Sequence, residues 1–199
     1  MKPLTVKPLL LGPWLLIAGV LSYAVALVLG VFFGHYEGPG RAPGTWSVTW
    51  ALAAALWWVY HGPRLCNLAY SMVPLQLPGA RTTLLRGITL HMALSLVPAL
   101  LFLLIWPTPN EEIQQLAAAL WLGSCFGLLL ISVPATLNFI PVALLSLYWP
   151  VLAEPGLCLG LGALALTLTF TLWHWQLKRP RAEWLAPLGL VLDGYTLSF

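Results

Sequence analysis

The sequence has very few charged residues. Only 8% of its 199 residues are Asp, Glu, Lys or Arg and 60% are hydrophobic, whereas a soluble domain has roughly 25% charged residues. A soluble protein of this composition would expose a large apolar surface to water. The scarcity of charge therefore excludes a soluble globular domain and indicates a protein embedded in a membrane. The net charge of +3 is too small to indicate binding to nucleic acid.

Sequence motifs for several kinds of chemistry are also missing. No Gly-rich loop ends in Gly-Lys-Ser or Gly-Lys-Thr, so the chain has no ATPase of its own. No Gly-x-Ser-x-Gly or His-Glu-x-x-His motif occurs, so neither a serine hydrolase nor a zinc protease is predicted. The apolar stretches contain almost no ionisable groups, which argues against ion-coupled transport and against an intramembrane carboxylate enzyme. We expect no enzymatic activity, no cofactor and no metal site.

Cysteine is scarce as well. Cys66, Cys125 and Cys158 are odd in number and lie at different expected depths in the membrane. They form neither a disulfide framework nor a paired metal-binding motif. We interpret all three as small apolar packing residues.

Long apolar stretches are what the sequence does have. A helix needs about 20 apolar residues to cross the hydrocarbon core of a bilayer. We predict six such helices, at about 9–33, 45–63, 87–106, 116–132, 139–153 and 157–177. The fifth stretch is short, so that helix is tilted, shielded by its neighbours or partly re-entrant. The predicted fold is an all-α polytopic membrane domain spanning 1–199.

The basic residues are sorted to one side of these predicted spans. Positively charged flanks are retained on the cytoplasmic side during insertion. Arg41 alone falls outside, whereas eight basic residues fall inside: Lys2, Lys7, Arg64, Arg81, Arg86, Lys178, Arg179 and Arg181. This sorting predicts that both termini are cytoplasmic and that the protein is a multi-pass protein of the cell inner membrane.

The segment 64–86 is the longest predicted cytoplasmic connection. It mixes apolar and basic residues and contains Pro74 and Pro78. This pattern predicts that the second helix continues out of the membrane and stops at the prolines. A new helix then begins near Gly79 to Arg81. It is the one cytoplasmic loop long enough to dock another protein.

Residues 74–87 of this connection read Pro-Leu-Gln-Leu-Pro-Gly-Ala-Arg-Thr-Thr-Leu-Leu-Arg-Gly. They resemble the stretch in exporter-type ABC transporter permeases in which a Leu-Pro motif precedes a short cytoplasmic coupling helix. The resemblance implies that Leu77, Pro78 and Arg81 open the coupling helix and that Arg86 lies at the membrane edge. It also implies a separate ATPase subunit on the cytoplasmic face, and a homodimer or a heterodimer with another permease. The short outer segment between the fifth and sixth spans is a departure that argues against a large cargo.

Three histidines support an alternative function. His61, His91 and His174 fall near the inner ends of the second, third and sixth spans. Two imidazoles at one depth are able to ligate a b-type haem between helices. The chain would then be a haem-binding membrane anchor of an electron-transfer complex. Histidine is also common at membrane interfaces, so these residues have a second interpretation without haem. A purely structural membrane subunit is the remaining alternative.

Small residues recur at a spacing that allows helices to approach closely. Glycine pairs four residues apart occur three times, and Ala51 with Ala55 forms a weaker case. Such faces pack helices within a subunit or between subunits. The pairs are Gly30 and Gly34, Gly123 and Gly127, and Gly156 and Gly160.

The predicted topology can be checked by thiol labelling of intact cells. Single cysteines replacing Arg41 or Asn110, in a background without native cysteines, should react with an impermeant reagent added outside. Cysteines replacing Arg81 or Arg179 should stay unlabelled. Labelling of the Arg81 position from outside would contradict the topology.

Overall fold

Five α-helices and no β-strand make up the part of the chain described by this computed structural model, which comprises residues 13–35, 45–72, 79–105, 110–133 and 154–178. The helices are α1 Pro13–His35, α2 Thr45–Met72, α3 Ala80–Ile105, α4 Asn110–Ser132 and α5 Pro155–Lys178. The all-helical prediction is therefore confirmed for these residues. The predicted span 139–153 lies outside the described residues.

The beginnings of the helices follow from local sequence. Proline is the first residue of α1 and of α5, a position where its missing N–H costs nothing. Asn110 begins α4 and is followed by two glutamates, which suit the positive end of the helix dipole. Gly79 has a φ of 85° and precedes α3, and its carbonyl accepts a hydrogen bond from the Thr83 N–H. Glycine adopts this positive φ without strain, so Gly79 allows α3 to begin within the predicted range of Gly79 to Arg81.

Three helical segments are long and apolar enough to cross a membrane. They are Thr82–Ile105, Glu112–Ser132 and Pro155–Trp175, and they overlap the predicted third, fourth and sixth spans. Leu16–Phe32 in α1 is a shorter apolar helical run. Helix α2 is not among the three. Four tryptophans and His61 reduce its apolar character, and it continues to Met72, past the predicted end at 63.

Helix α2 lies at the centre of the described helices. It packs against α1, α3 and α4, and α4 in turn packs against α5. One apolar cluster joins Trp50 of α2 with Leu103 near the end of α3 and Leu116 near the beginning of α4. A second joins Leu65 of α2 with Leu84 near the beginning of α3. Helices α2 and α3 therefore run antiparallel, whereas α2 and α4 run parallel.

Glycines allow α2 and α4 to approach backbone to backbone. A Cβ added to Gly123 would overlap the backbone of Ala51, and one added to Gly127 would lie 2.8 Å from Cα of Ala55. The two small-residue pairs of the sequence thus face each other across one helix contact within the chain. In lipid, such close packing is a main source of helix association.

The other glycine pairs have different surroundings. A Cβ on Gly30 would overlap the Trp50 side chain on α2. Nothing lies within 4 Å of a Cβ on Gly156 or Gly160, which are exposed on α5. Gly34 belongs to α1, but its surroundings lie outside the described part of the chain.

Pro98 interrupts the hydrogen bonding of α3 near its middle. Pro98 has no N–H to donate to the Leu94 carbonyl, and its ring disturbs the preceding turn of the helix. Tyr23 of α1 donates a hydrogen bond of 2.6 Å to the Ser95 carbonyl in that turn. A neighbouring helix thus supports the interrupted helix, as is usual for prolines in membrane helices.

The α2–α4 contact predicts opposite effects of two matched substitutions. Gly123→Ala should lower the unfolding free energy by about 1–3 kcal/mol, because the added methyl group meets backbone that cannot move aside. Gly160→Ala should be neutral or should stabilise the helix by about 0.5–1 kcal/mol, because Gly160 faces open space. Thermal unfolding of both variants in detergent measures the difference. Equal melting temperatures for the two variants would contradict the close contact.

Candidate functional site: a buried histidine pair

Two of the three histidines identified in the sequence meet inside the protein. His61 of α2 and His91 of α3 are 0% and 1% exposed. Their ring centroids lie 5.5 Å apart, and the ring planes differ by 19°. Neighbouring helices cover both side chains, which therefore do not face lipid as interfacial histidines would. His174 of α5 is exposed, unlike the buried pair.

Tryptophans of α2 flank the histidine pair. Trp57 lies one turn before His61, and their ring centroids are 4.2 Å apart. The same tryptophan lies 6.3 Å from His91, and Trp58 lies 6.1 Å from His91. Tyr23 of α1 makes an edge contact with Trp57 at 5.5 Å. The pair therefore lies in an aromatic environment formed by three helices.

Gly19 makes room for His61 between α1 and α2. A Cβ built on Gly19 would lie 2.7 Å from Nε2 of His61 and 3.3 Å from Cβ of Tyr60. Any larger residue at this position would displace the imidazole. The sequence of α1 thus allows a polar ring to be enclosed.

His61 has no hydrogen-bond partner within the described residues. Both of its ring nitrogens, Nδ1 and Nε2, are buried without one. An unsatisfied buried polar group costs about 1–3 kcal/mol, and native proteins contain few of them. Such a group is typical of a functional site or of a site that holds a water or an ion.

A chain of hydrogen bonds beside the pair connects α2, α4 and α3. The Trp58 Nε1–H donates to Ser124 Oγ at 2.8 Å, and Ser124 Oγ lies 2.7 Å from Ser95 Oγ. Ser95 Oγ donates to the Met92 carbonyl at 2.9 Å. The Ser124 hydroxyl also lies 2.9 Å from Met92 Sδ, and its single proton is donated either to this sulfur or to Ser95 Oγ. Met92 and Ser95, which follow His91 in α3, are thereby connected to α2 and α4.

The histidine pair does not fit a b-type haem in this arrangement. A haem places a flat porphyrin between two imidazoles that point at the iron from opposite sides. Inserting a porphyrin here would require Trp57 and Trp58 to move, because their rings lie 4.2–6.3 Å from the imidazoles. Within the described ranges, no three His, Cys, Asp or Glu side chains form a group that could hold a metal ion.

The residues assigned to partner contact lie at the beginning of α3 and just before it. Leu77 and Pro78 fall outside the described residues. Arg81 belongs to the first turn of α3, but its side chain is not among those described. Arg86 is exposed on α3. Cys125 and Cys158 are buried free cysteines, and the side chain of Cys66 lies outside the described set.

Sequence analysis missed four residues of the site: Gly19, Trp57, Trp58 and Ser124. One signal was available, because Trp46, Trp50, Trp57 and His61 recur at intervals of four, seven and four residues. That spacing places them on one face of a helix. Ser124 carries no comparable signal, because a serine within an apolar helix is common.

Comparison of the chain with protein-family models, with curated proteins and with solved structures finds no match. Its function is therefore inferred from its own residues and geometry.

The hydrogen-bond chain predicts that Ser124 is important for stability. Ser124→Ala should remove the partners of Trp58 and Ser95 and lower the unfolding free energy by about 1–3 kcal/mol. Thr167→Ala on the exposed face of α5 is the matched control, because the Thr167 hydroxyl donates to the Ala163 carbonyl of its own helix. Thermal unfolding in detergent compares the two variants. A loss in the Ser124 variant no larger than in the control would contradict this role.

Proposed function

We propose that this protein is the membrane-spanning permease subunit of an ABC-type exporter and works with a separate ATPase subunit on its cytoplasmic face. In this proposal the chain crosses the cell inner membrane six times, has both termini in the cytoplasm and forms a homodimer or a heterodimer with another permease. The residues of the beginning of α3 contact the ATPase, and the chain itself performs no catalysis.

The proposed orientation of the chain in the membrane is supported by three helix ends that lie together and carry basic residues. Leu65 of α2, Leu84 of α3 and Trp173 of α5 lie in one apolar cluster. Each is close in sequence to a basic residue, namely Arg64, Arg86 and Lys178. At the opposite end, Cys158 of α5 packs in a cluster with Val48 of α2, and Glu154 lies one turn before Cys158. Collection of the basic residues at one end of the helices is typical of a cytoplasmic face.

The observation that carries the proposal is the length of α2 and α3 on this basic side. Helix α2 has 28 residues, which is ~42 Å at 1.5 Å per residue. Helix α3 has 26 residues, or ~39 Å. The hydrocarbon core is only about 30 Å thick. The apolar part of α2 ends near Tyr60, so the excess length favours a helical pair that projects into the cytoplasm.

The beginning of α3 presents an exposed face that suits a protein partner. Thr82, Leu85, Arg86 and Thr89 are all exposed and recur at helical spacing, and we call them the α3 entry face. Arg86 offers a fixed positive charge for carboxylates of another protein. Leu85 is 52% exposed and offers an apolar contact beside it.

The opposite face of the same turns is firmly packed. Leu84 and Ile88 are buried in a cluster that includes residues of α2, α4 and α5: Trp58, Leu65, Leu128, Ile131 and Trp173. Because this cluster joins four helices, a force applied to the α3 entry face would be transmitted to all of them. A coupling element of a transporter requires this combination of an exposed face and a rigid attachment.

The haem-binding anchor remains the alternative from another functional class. His61 and His91 are its two available ligands, and the packing of Trp57 and Trp58 argues against a porphyrin between them. An absorbance spectrum of the purified protein separates the two functions, because a bound haem gives a Soret band. A purely structural subunit would have neither a Soret band nor an ATPase partner.

Charge reversal at the α3 entry face tests the ATPase contact. Arg86→Glu and Arg81→Glu should leave the protein inserted and abundant, but should lower the yield of co-purified ATPase by about tenfold or more. The reason is that a like charge placed in a protein contact costs more than ~1.4 kcal/mol. Co-purification from the native host in mild detergent, followed by an ATP hydrolysis assay, measures this loss.

Lys178→Glu at the end of α5 is the matched control, since it reverses a charge on the same side of the membrane. If the arginines only contact lipid phosphates, all three reversals should have similar effects. Failure of any ATPase to co-purify with the unaltered protein would contradict the proposal. Full retention of the ATPase by Arg86→Glu and Arg81→Glu would contradict it equally.

A further inference from the structure

The histidine pair has no role in docking an ATPase, although it is fully enclosed between the described helices. His61 is fully buried, and both of its ring nitrogens lack a hydrogen-bond partner there. His91 lies beside it on a different helix. A lone histidine satisfied by a carbonyl or a hydroxyl would need no further explanation, but His61 is not satisfied in this way.

We propose that His61 and His91 bind one monovalent soft metal ion, Cu(I), between α2 and α3. Imidazole nitrogens are good ligands for copper. The site is independent of the ATPase contact, because it is enclosed between helices whereas the α3 entry face is exposed.

The distance between the two rings suits a shared ion. Each imidazole nitrogen lies about 2.0 Å from a bound metal ion, which places each ring centre about 3.2 Å from the ion. Two such rings are then roughly 5–6.5 Å apart, depending on the angle at the ion. The observed separation of the ring centroids is 5.5 Å, which corresponds to an N–Cu–N angle of roughly 120°. A linear arrangement, which two-coordinate Cu(I) prefers, would require the two rings to move apart by about 1 Å.

The charge of the surroundings favours a monovalent ion over a divalent one. In the described part of the chain, no Asp, Glu or Cys completes a group of three ligands with the two histidines. Zn²⁺ takes four ligands in structural sites, and a buried charge without a compensating group is costly. Cu(I) carries half the charge of Zn²⁺ and accepts two ligands, so two neutral imidazoles suffice for it.

The aromatic rings around the pair add a favourable interaction. Trp57 lies 4.2 Å from the His61 ring and 6.3 Å from the His91 ring, measured between centroids. Cations are attracted to the face of an indole within about 6 Å, and the attraction strengthens where water is excluded. A monovalent cation between the imidazoles would therefore lie in a dry, aromatic environment suited to it.

Anaerobic titration of the purified full-length protein with Cu(I) tests the site. Competition against a chromogenic Cu(I) chelator should show one bound equivalent. His61→Gln and His91→Gln should each weaken this binding by about tenfold or more, because each variant loses one of two ligands. His174→Gln is the matched control and should bind like the unaltered protein, since His174 is exposed on another helix.

X-ray absorption of the Cu(I)-loaded unaltered protein gives a second measurement that does not depend on the folding of any variant. Nitrogen neighbours at about 2.0 Å support the site, whereas sulfur neighbours at about 2.3 Å would assign the copper to cysteine instead and overturn the proposal. Failure of the unaltered protein to compete with the chelator would overturn it too, and His61 would then be hydrated. Binding of Zn²⁺ as tight as that of Cu(I) would overturn the choice of a monovalent ion.

Discussion

The backbone contact between α2 and α4 is the constraint on which the other contacts depend. In lipid the hydrophobic effect does not hold helices together, so close packing and hydrogen bonds must do so. Gly123 and Gly127 lie against Ala51 and Ala55 without any side chain between the helices. Only this close approach allows Trp58 of α2 to reach Ser124 of α4 with a hydrogen bond of 2.8 Å. Larger residues at these positions would separate the two helices and break that bond.

The central position of α2 explains its unusual composition. A helix covered by α1, α3 and α4 need not be apolar on every side, because its neighbours shield it from lipid. It can therefore enclose His61 and four tryptophans, which would be poor choices for a helix exposed to lipid. At the basic end the same packing fixes Leu65 of α2 against Leu84 of α3, so the proposed docking face and the histidine pair share one rigid support.

Sequence patterns predicted the helices well but could not predict which of them meet. The start of α3 near Gly79 and the continuation of α2 past residue 63 followed from proline and glycine positions, which act locally. Tryptophan is common at membrane interfaces, yet neighbouring helices bury Trp57 and Trp58. The meeting of His61 with His91 depends on helix rotation and on the space left by Gly19, and both are properties of three-dimensional packing. For Gly123 and Gly127, the motif indicated a close contact without naming the partner helix.

The shielding of α2 is the central claim, and photolabelling of the unaltered protein from the lipid phase tests it most directly. A lipid-soluble, carbene-generating diazirine labels whatever side chains face the acyl chains, and mass spectrometry of peptides locates the label. In reconstituted bilayers the side chains of Trp50 and Trp58 should carry little label, since both are 0% exposed. Leu52 and Leu56, which are 45% and 36% exposed on the outer face of the same helix, should be labelled. The outer faces of α1 and α5 should be labelled heavily, as at Trp175, which is 43% exposed. Labelling of the Trp50 and Trp58 side chains as strong as that of Trp175 would contradict the arrangement of helices described above.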